Sequence, residues 1–91
     1  MNFIAKNFSE YQALYQASIE NPVQFWNDFA AAEFSWKKKW DNVLSWDFDQ
    51  AKVEWFQGAE LNITENCLDR HLAKIGEKTA IIWESNNPNE A

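Results

Sequence analysis

The sequence predicts a small α+β fold that is mainly helical, with three helices and a few short strands. Three stretches place apolar side chains at helical spacing behind a capping residue, and shorter runs have the apolar patterns of strands. The chain has 91 residues with only two Gly and two Pro, too few for a loop-rich scaffold. At this length we expect one domain, over residues 1–91.

The first two predicted helices cover about residues 9–20 and 22–36. Ser9 fits the N-cap of the first helix, because a glutamine follows three residues later and apolar residues then recur at helical spacing. Pro22 disfavours a helical conformation at Asn21, so the first helix ends there. Asn21 can in turn cap the second helix, with Pro22 at its first position.

Two apolar runs predict short strands over about residues 43–48 and 52–57. In the first run, Leu44, Trp46 and Phe48 occupy every second position, which is the period of a half-buried strand. The second run contains valine, tryptophan and phenylalanine and ends at a glycine.

The third predicted helix covers about residues 62–75, with Asn62 as its N-cap and Gly76 at its end. A continuous β-prone apolar run then predicts a strand over about residues 79–84. Such a run is typical of a strand that is covered on both faces. Strand, helix and strand over 52–84 together have the length of one βαβ unit, but a lone unit leaves unpaired edges that a globular protein would normally cover.

The charge of the chain excludes several classes of function. Acidic residues outnumber basic ones by 14 to 8, which gives a formal net charge of −6. This field repels phosphate backbones and anionic lipid headgroups, so we expect no nucleic acid and no membrane as partner. Lys37, Lys38 and Lys39 are then interpreted as a solvated helix end. One cysteine and the absence of a signal-peptide pattern predict a cytoplasmic location.

Aromatic side chains are unusually abundant for a chain of this size, with six Trp, seven Phe and two Tyr. Full burial of these rings would hide roughly 3,000 Å². A short chain buries only about 60–65% of the surface that its unfolded form exposes. We therefore expect some rings to stay at the surface unless a partner covers them or the chain self-associates through them.

No pattern in the chain predicts a catalytic, cofactor-binding or metal-binding residue. Cys67 and His71 lie four residues apart, so they could share one metal or act as a thiol and its base. Two ligands do not make a structural zinc site, and we interpret both residues as packed on the apolar side of the third helix. Asp69 and Arg70 are expected to face solvent. Two glycines also cannot supply a phosphate-binding loop of a known type.

Several short strings of the chain are more specific than its composition. They are Asn21-Pro22-x-x-Phe25-Trp26, Trp36-x-x-x-Trp40-Asp41, Trp55-Phe56-x-Gly58, Asn66-Cys67-Leu68-Asp69-Arg70-His71-Leu72 and Lys78-Thr79-Ala80-Ile81-Ile82-Trp83-Glu84. In this order, from about Ser9 to Glu84, the sequence resembles the N-terminal region of AMP-forming acetyl-coenzyme A synthetases. One departure is Ala59, where this family commonly has a second glycine.

The resemblance implies a piece of the large N-terminal domain of an adenylate-forming ligase. The parent reaction joins acetate, ATP and coenzyme A, assisted by Mg²⁺, into acetyl-CoA, AMP and pyrophosphate. The family's residues for this chemistry belong to segments downstream of Glu84, so the resemblance assigns no catalytic residue and no cofactor to this chain. Relatives that act on propionate or acetoacetate share the region, which leaves the acyl substrate open.

Three functional interpretations remain open at this point. The first is a structural, non-catalytic N-terminal segment of an acetyl-CoA synthetase, whose partner is the remainder of the parent ligase chain. The second is a free-standing helical interaction module with an aromatic docking face. The third is a small enzyme that uses Cys67 and His71.

Overall fold

The computed structural model describes residues 2–90 and confirms the α+β class. Two longer helices are followed by a hairpin and then by a short, segmented helical region. In chain order the elements are α1 (Phe8–Glu20), α2 (Pro22–Glu33), β1 (Asn42–Asp47), β2 (Lys52–Gln57), α3 (Ile63–Cys67), a 3₁₀ turn (Asp69–His71) and α4 (Leu72–Ile75).

Helix α1 begins earlier than the sequence predicts. Its N-cap is Asn7, whose side chain accepts a hydrogen bond from the Glu10 N–H at 2.9 Å, so the prediction of Ser9 as cap is wrong. The Glu10 carboxylate accepts a hydrogen bond from the Lys6 N–H at 2.7 Å. Asn7 and Glu10 therefore each accept a hydrogen bond from a backbone N–H at the start of the helix, as the two residues of a capping box do.

Helix α2 begins as predicted and ends early. The Asn21 side chain accepts from the Gln24 N–H at 3.3 Å, with Pro22 in the first turn. The helix ends at Glu33, three residues before the predicted end at 36. The Trp36 indole N–H instead donates to the Ala30 carbonyl at 2.8 Å, so the Trp36 side chain packs against the C-terminal end of the helix.

Strands β1 and β2 form an antiparallel hairpin, in which Leu44 lies opposite Trp55 and Trp46 opposite Val53. A βαβ unit over 52–84 is not formed, because residues 79–84 are not a strand and β2 pairs with β1 alone in the described part of the chain. The predicted bounds 52–57 are confirmed, whereas β1 begins and ends one residue before the predicted 43–48. Val43 is the buried residue of β1, and the ring of Trp46 lies on the open face.

The third predicted helix is broken into pieces. Asn62 caps α3 as predicted by accepting from the Glu65 N–H at 3.1 Å. The helix stops at Leu68, where φ is −122° and ψ is −66°. The Arg70 Nε donates a hydrogen bond to the Asn66 carbonyl at 2.7 Å. In a continuous helix over 62–75 the backbone N–H of Arg70 would occupy that carbonyl.

The predicted strand over 79–84 is not formed, and these residues have no regular secondary structure. A strand needs neighbours for its N–H and C=O groups. Within residues 2–90, β1 and β2 pair with each other in a two-stranded sheet and leave no third strand.

The chain encloses very little core. The buried apolar side chains among residues 2–90 are Ala30 and Val43, and the buried polar one is Asn66. The radius of gyration is 19.1 Å and the extents are 59 × 35 × 29 Å. A compact chain of this length has a radius of gyration of about 12 Å. None of the helices in the described part is long and apolar enough to cross a membrane.

Candidate functional site

Asn66 links α3 to the chain segment that follows α2. Its side chain is 2% exposed and makes three hydrogen bonds. The Oδ1 atom accepts from the Ser35 N–H at 2.7 Å, and Nδ2 donates to the Ser35 carbonyl at 3.0 Å and to the Asn62 carbonyl at 2.9 Å. The amide thus pairs with both backbone groups of Ser35, as a neighbouring strand would.

Arg70 makes the second link between the same two regions. Its Nη1 donates to the Glu33 carbonyl at 2.7 Å, at the C-terminal end of α2. Its Nε donates to the Asn66 carbonyl. A cation at the C-terminus of a helix also opposes the negative end of the helix dipole. Arg70 is exposed, as expected, and its guanidinium also bridges two backbone carbonyls. We call Asn66 and Arg70 the clamp.

Aromatic rings form a continuous row that connects the N-terminal segment, α2 and the hairpin. Neighbouring rings of the row have centroids 5.0 to 6.3 Å apart and mostly meet edge to face. Such contacts stabilise a pair of rings beyond the burial of their surface. Its members among residues 2–90 are Phe3, Phe25, Trp26, Phe29, Phe34, Trp36, Trp40 and Phe56.

Two indole groups anchor the aromatic row to α2. The Trp40 indole N–H donates to Oδ1 of Asn27 at 2.9 Å, and that of Trp36 donates to Ala30. Phe56 reaches both tryptophans at 5.1 and 5.8 Å from a backbone with φ of 50°, which is unusual for a bulky side chain. An open apolar groove of about 340 Å³ lies along this row and extends to Leu61 and Ile63.

The three lysines between Trp36 and Trp40 do not end a helix. Lys38 forms an isolated antiparallel bridge with Glu60, in which the Glu60 N–H donates to the Lys38 carbonyl at 2.9 Å. The Lys37 and Lys38 N–H groups both donate to the Glu60 carbonyl. All three lysine side chains are exposed, so the expected solvation is confirmed and the expected helix is not.

Cys67 and His71 are both exposed, so the interpretation that they pack in a core is wrong for residues 2–90. They line an open groove of about 350 Å³ together with Leu72 and Ile75. Among the described residues, no group of three or more His, Cys, Asp and Glu side chains could hold a metal ion.

Large apolar side chains cover one face of the hairpin and remain exposed. Trp46 is 57% exposed, Val53 54% and Trp55 47%, and all three face the same side of the sheet. Phe48 extends this face, with its ring 4.7 Å from that of Trp46. Monomeric proteins rarely leave so large an apolar surface open, and such surfaces mark contacts with another body.

Comparison with known proteins identifies the family to which this sequence is similar. A family model described as the N-terminus of acetyl-coenzyme A synthetase matches residues 11–67. This chain belongs to that family. The matched region includes most of α1, all of α2, the hairpin and α3, and the Asn66 half of the clamp. The resemblance drawn from the sequence is thereby confirmed.

Individual relatives extend the match to most of the chain. The acetyl-coenzyme A synthetase of Magnetococcus marinus is 50% identical over 82 residues, which are 90% of this chain. That of Leptospira biflexa is 49% identical over 86 residues, or 93% of the chain. Acetyl-coenzyme A synthetase 2 of Pseudomonas aeruginosa is 45% identical over 85 residues. The chain spans 13% of the length of each of these relatives.

Proposed function

We propose that this chain is a structural, non-catalytic N-terminal segment of an acetyl-CoA synthetase. The observation that carries the proposal is the near absence of a core. Among residues 2–90, two apolar side chains are buried, in a chain that spans 13% of the relatives' length. A segment of this kind contributes surface to a larger body. The remainder of the ligase polypeptide is its partner in this proposal, in the cytoplasm.

The chemistry belongs to the remainder of the enzyme in this proposal. The whole protein would convert acetate, ATP and coenzyme A to acetyl-CoA, AMP and pyrophosphate with the help of Mg²⁺. Two glycines in the chain do not provide a phosphate-cradling loop. Asn66 Nδ2 and two of the Arg70 nitrogens donate hydrogen bonds to backbone carbonyls. In this proposal the clamp and the aromatic row fix α2, the hairpin and α3 relative to one another, and the remainder of the ligase packs against them.

A chimera tests the proposal. The matched region of the Magnetococcus marinus synthetase is replaced by this chain, and acetyl-CoA formation is measured beside the unmodified enzyme and beside the enzyme with the region deleted. We expect the chimera to be active and the deletion to lose activity with its fold. The isolated chain should not bind ATP in titration calorimetry. An inactive chimera, or saturable ATP binding by the isolated chain at micromolar concentration, would refute the proposal.

A free-standing interaction module is the second candidate. The open apolar face of the hairpin supports it, because Trp46 and Trp55 are available to a partner. The shape of the chain disfavours it, since a module that acts alone needs its own core. A chain that stays monomeric and compact at high concentration would favour this candidate over the synthetase segment.

A further inference from the structure

We propose that residues 3–6 form a strap that holds α1 against α2 through the ring of Phe3, and that α1 swings open on a hinge at Asn21 when this ring leaves. Opening uncovers an apolar groove between the two helices. The inference goes beyond the proposed function, because it concerns how the helices of this chain move relative to each other. Three features support it: the contacts of Phe3, the attachment of the strap to α1, and the joint between the helices.

The ring of Phe3 connects the strap to α2. Its centroid lies 5.7 Å from that of Phe25 and 5.2 Å from that of Phe29, and both pairs meet edge to face. The three aromatic rings on α1 instead stack in a row along their own helix and are 54–70% exposed. Within Phe8–Glu20 no residue is buried. Phe3 therefore supplies the ring contacts that join the beginning of α1 to α2.

Hydrogen bonds fix the strap to the first turn of α1. The Lys6 N–H donates to the Glu10 carboxylate at 2.7 Å, and the Glu10 N–H donates to the Asn7 side chain at 2.9 Å. The Tyr11 N–H donates to the Asn7 carbonyl at 3.1 Å. These bonds set the direction in which the chain enters the helix. The position of the Phe3 ring and the position of the first turn of α1 are thus coupled.

The joint between the helices is the single residue Asn21, with φ of −140° and ψ of 73°. Its N–H donates to the Ala17 carbonyl of α1, and its carbonyl accepts from the Phe25 N–H of α2. Rotation about ψ changes the angle between the helices and keeps both of these bonds. A residue before proline most often has ψ of about +120 to +160°, so a second orientation of α1 is accessible. Helix α1 is about 20 Å long, and a rotation of about 30° moves its first turn by about 10 Å.

The groove that opening uncovers lies between α1 and α2 and has a volume of about 260 Å³. Phe3 lies in its wall, together with Leu14 and Tyr15 from α1 and with Phe25 and Phe29 from α2. Loss of the Phe3 ring removes both of its edge-to-face contacts. Each contact of this kind changes an equilibrium by about 2- to 10-fold, so loss of both lowers the ratio of closed to open chains by about 5- to 100-fold.

Distance measurement between two spin labels on the 91-residue chain tests the strap. The labels are attached through Gln12→Cys on α1 and Gln50→Cys in the hairpin turn, both at exposed positions, with Cys67→Ser in the background. In the otherwise native chain we expect one main distance, with an open population of about 1–10%. In Phe3→Ala we expect a second distance whose population equals or exceeds that of the first, because the closed-to-open ratio falls by about 5- to 100-fold.

Phe8→Ala is the matched control, because it removes the same ring from a position that is 70% exposed and stacks on Tyr11 of its own helix. We expect this variant to keep the native distance. Circular dichroism of both variants should show nearly native helicity, since rotation at the hinge keeps the helical hydrogen bonds.

Three results would overturn the proposal. The first is a native distance distribution in Phe3→Ala, and the second is an equal second distance in Phe8→Ala. The third is a second distance in Phe3→Ala that comes with lost helicity, because Phe3 would then keep α1 folded instead of closed. Acetyl-CoA formation by the chimera enters none of these results, so the strap and the proposed function can fail separately.

Discussion

At the scale of single residues, the clamp explains why one of the family's strings has its particular composition. The Asn66 amide accepts from the Ser35 N–H and donates to the Ser35 carbonyl, and the Arg70 guanidinium donates to the Glu33 carbonyl. Helical periodicity over 62–75 placed Cys67 and His71 in a core, whereas both are exposed. The periodicity argument assumes an unbroken helix, and the structure divides this region into α3, a 3₁₀ turn and α4.

Asn66→Ala tests the clamp. Removal of the amide leaves the Ser35 N–H and carbonyl without their partner, which costs about 1–3 kcal/mol. Hydrogen exchange at the Ser35 amide should therefore accelerate by roughly 10- to 100-fold. Asn86→Ala is the matched control at an exposed site and should leave that amide unchanged. Equal exchange rates in both variants would show that the clamp does not hold this segment.

The two caps at the start of α1 can be distinguished in the same way. Asn7→Ala removes the acceptor for the Glu10 N–H and should destabilise the helix by about 1 kcal/mol, which circular dichroism detects as lost helicity. Ser9→Ala lies inside the helix and should leave the helicity unchanged or slightly raised. A larger loss of helicity with Ser9→Ala than with Asn7→Ala would indicate that Ser9 is the N-cap, as the sequence alone predicts.

At the scale of elements, the sequence predicts the secondary structure of a segment more accurately than it predicts the segment's partner in the fold. The bounds of β2, the caps at Asn21 and Asn62 and the break before Pro22 all follow from local chemistry, and the structure contains them. A βαβ unit over 52–84 and its last strand over 79–84 depend on neighbours far away in the chain. Local patterns carry no information on such partners, because an apolar run looks the same beside any sheet edge.

The turn after β2 gives a prediction at this scale. Gly58 has φ of 77°, whereas Ala59 is not among the residues with positive φ, so the alanine that replaces the family's second glycine fits its backbone. Gly58→Ala should cost about 1–2 kcal/mol, since a Cβ there strains the backbone and meets the Asp41 carboxylate. Exchange of the Asp41 amide, which donates to the Gln57 carbonyl, is the measurement.

Ala59→Gly is the matched change at the neighbouring position. It should cost only about 0.5–1 kcal/mol, because it adds freedom to the unfolded chain without relieving any strain. A greater acceleration of exchange at Asp41 in this variant than in Gly58→Ala would mean that the turn depends on position 59 instead.

At the scale of the whole molecule, the chain is elongated, and its helices and hairpin enclose almost no core. The clamp and the aromatic row fix α2, the hairpin and α3 to one another, yet the hairpin face and residues 79–84 stay open. The aromatic composition already indicated this outcome, because a chain of 91 residues cannot hide fifteen large rings. The exposed rings lie on α1, on α2, on the hairpin and at Trp83, and the sequence did not predict which rings these would be.

Small-angle X-ray scattering of the isolated chain at low concentration tests most directly the claim that these residues depend on a larger body for their core. We predict a radius of gyration near 19.1 Å, with binding of a hydrophobic dye under the same conditions. An unfolded chain of this length would give about 30 Å, and a self-sufficient domain about 12 Å. A dye-silent monomer with a radius of gyration near the compact value would contradict the account.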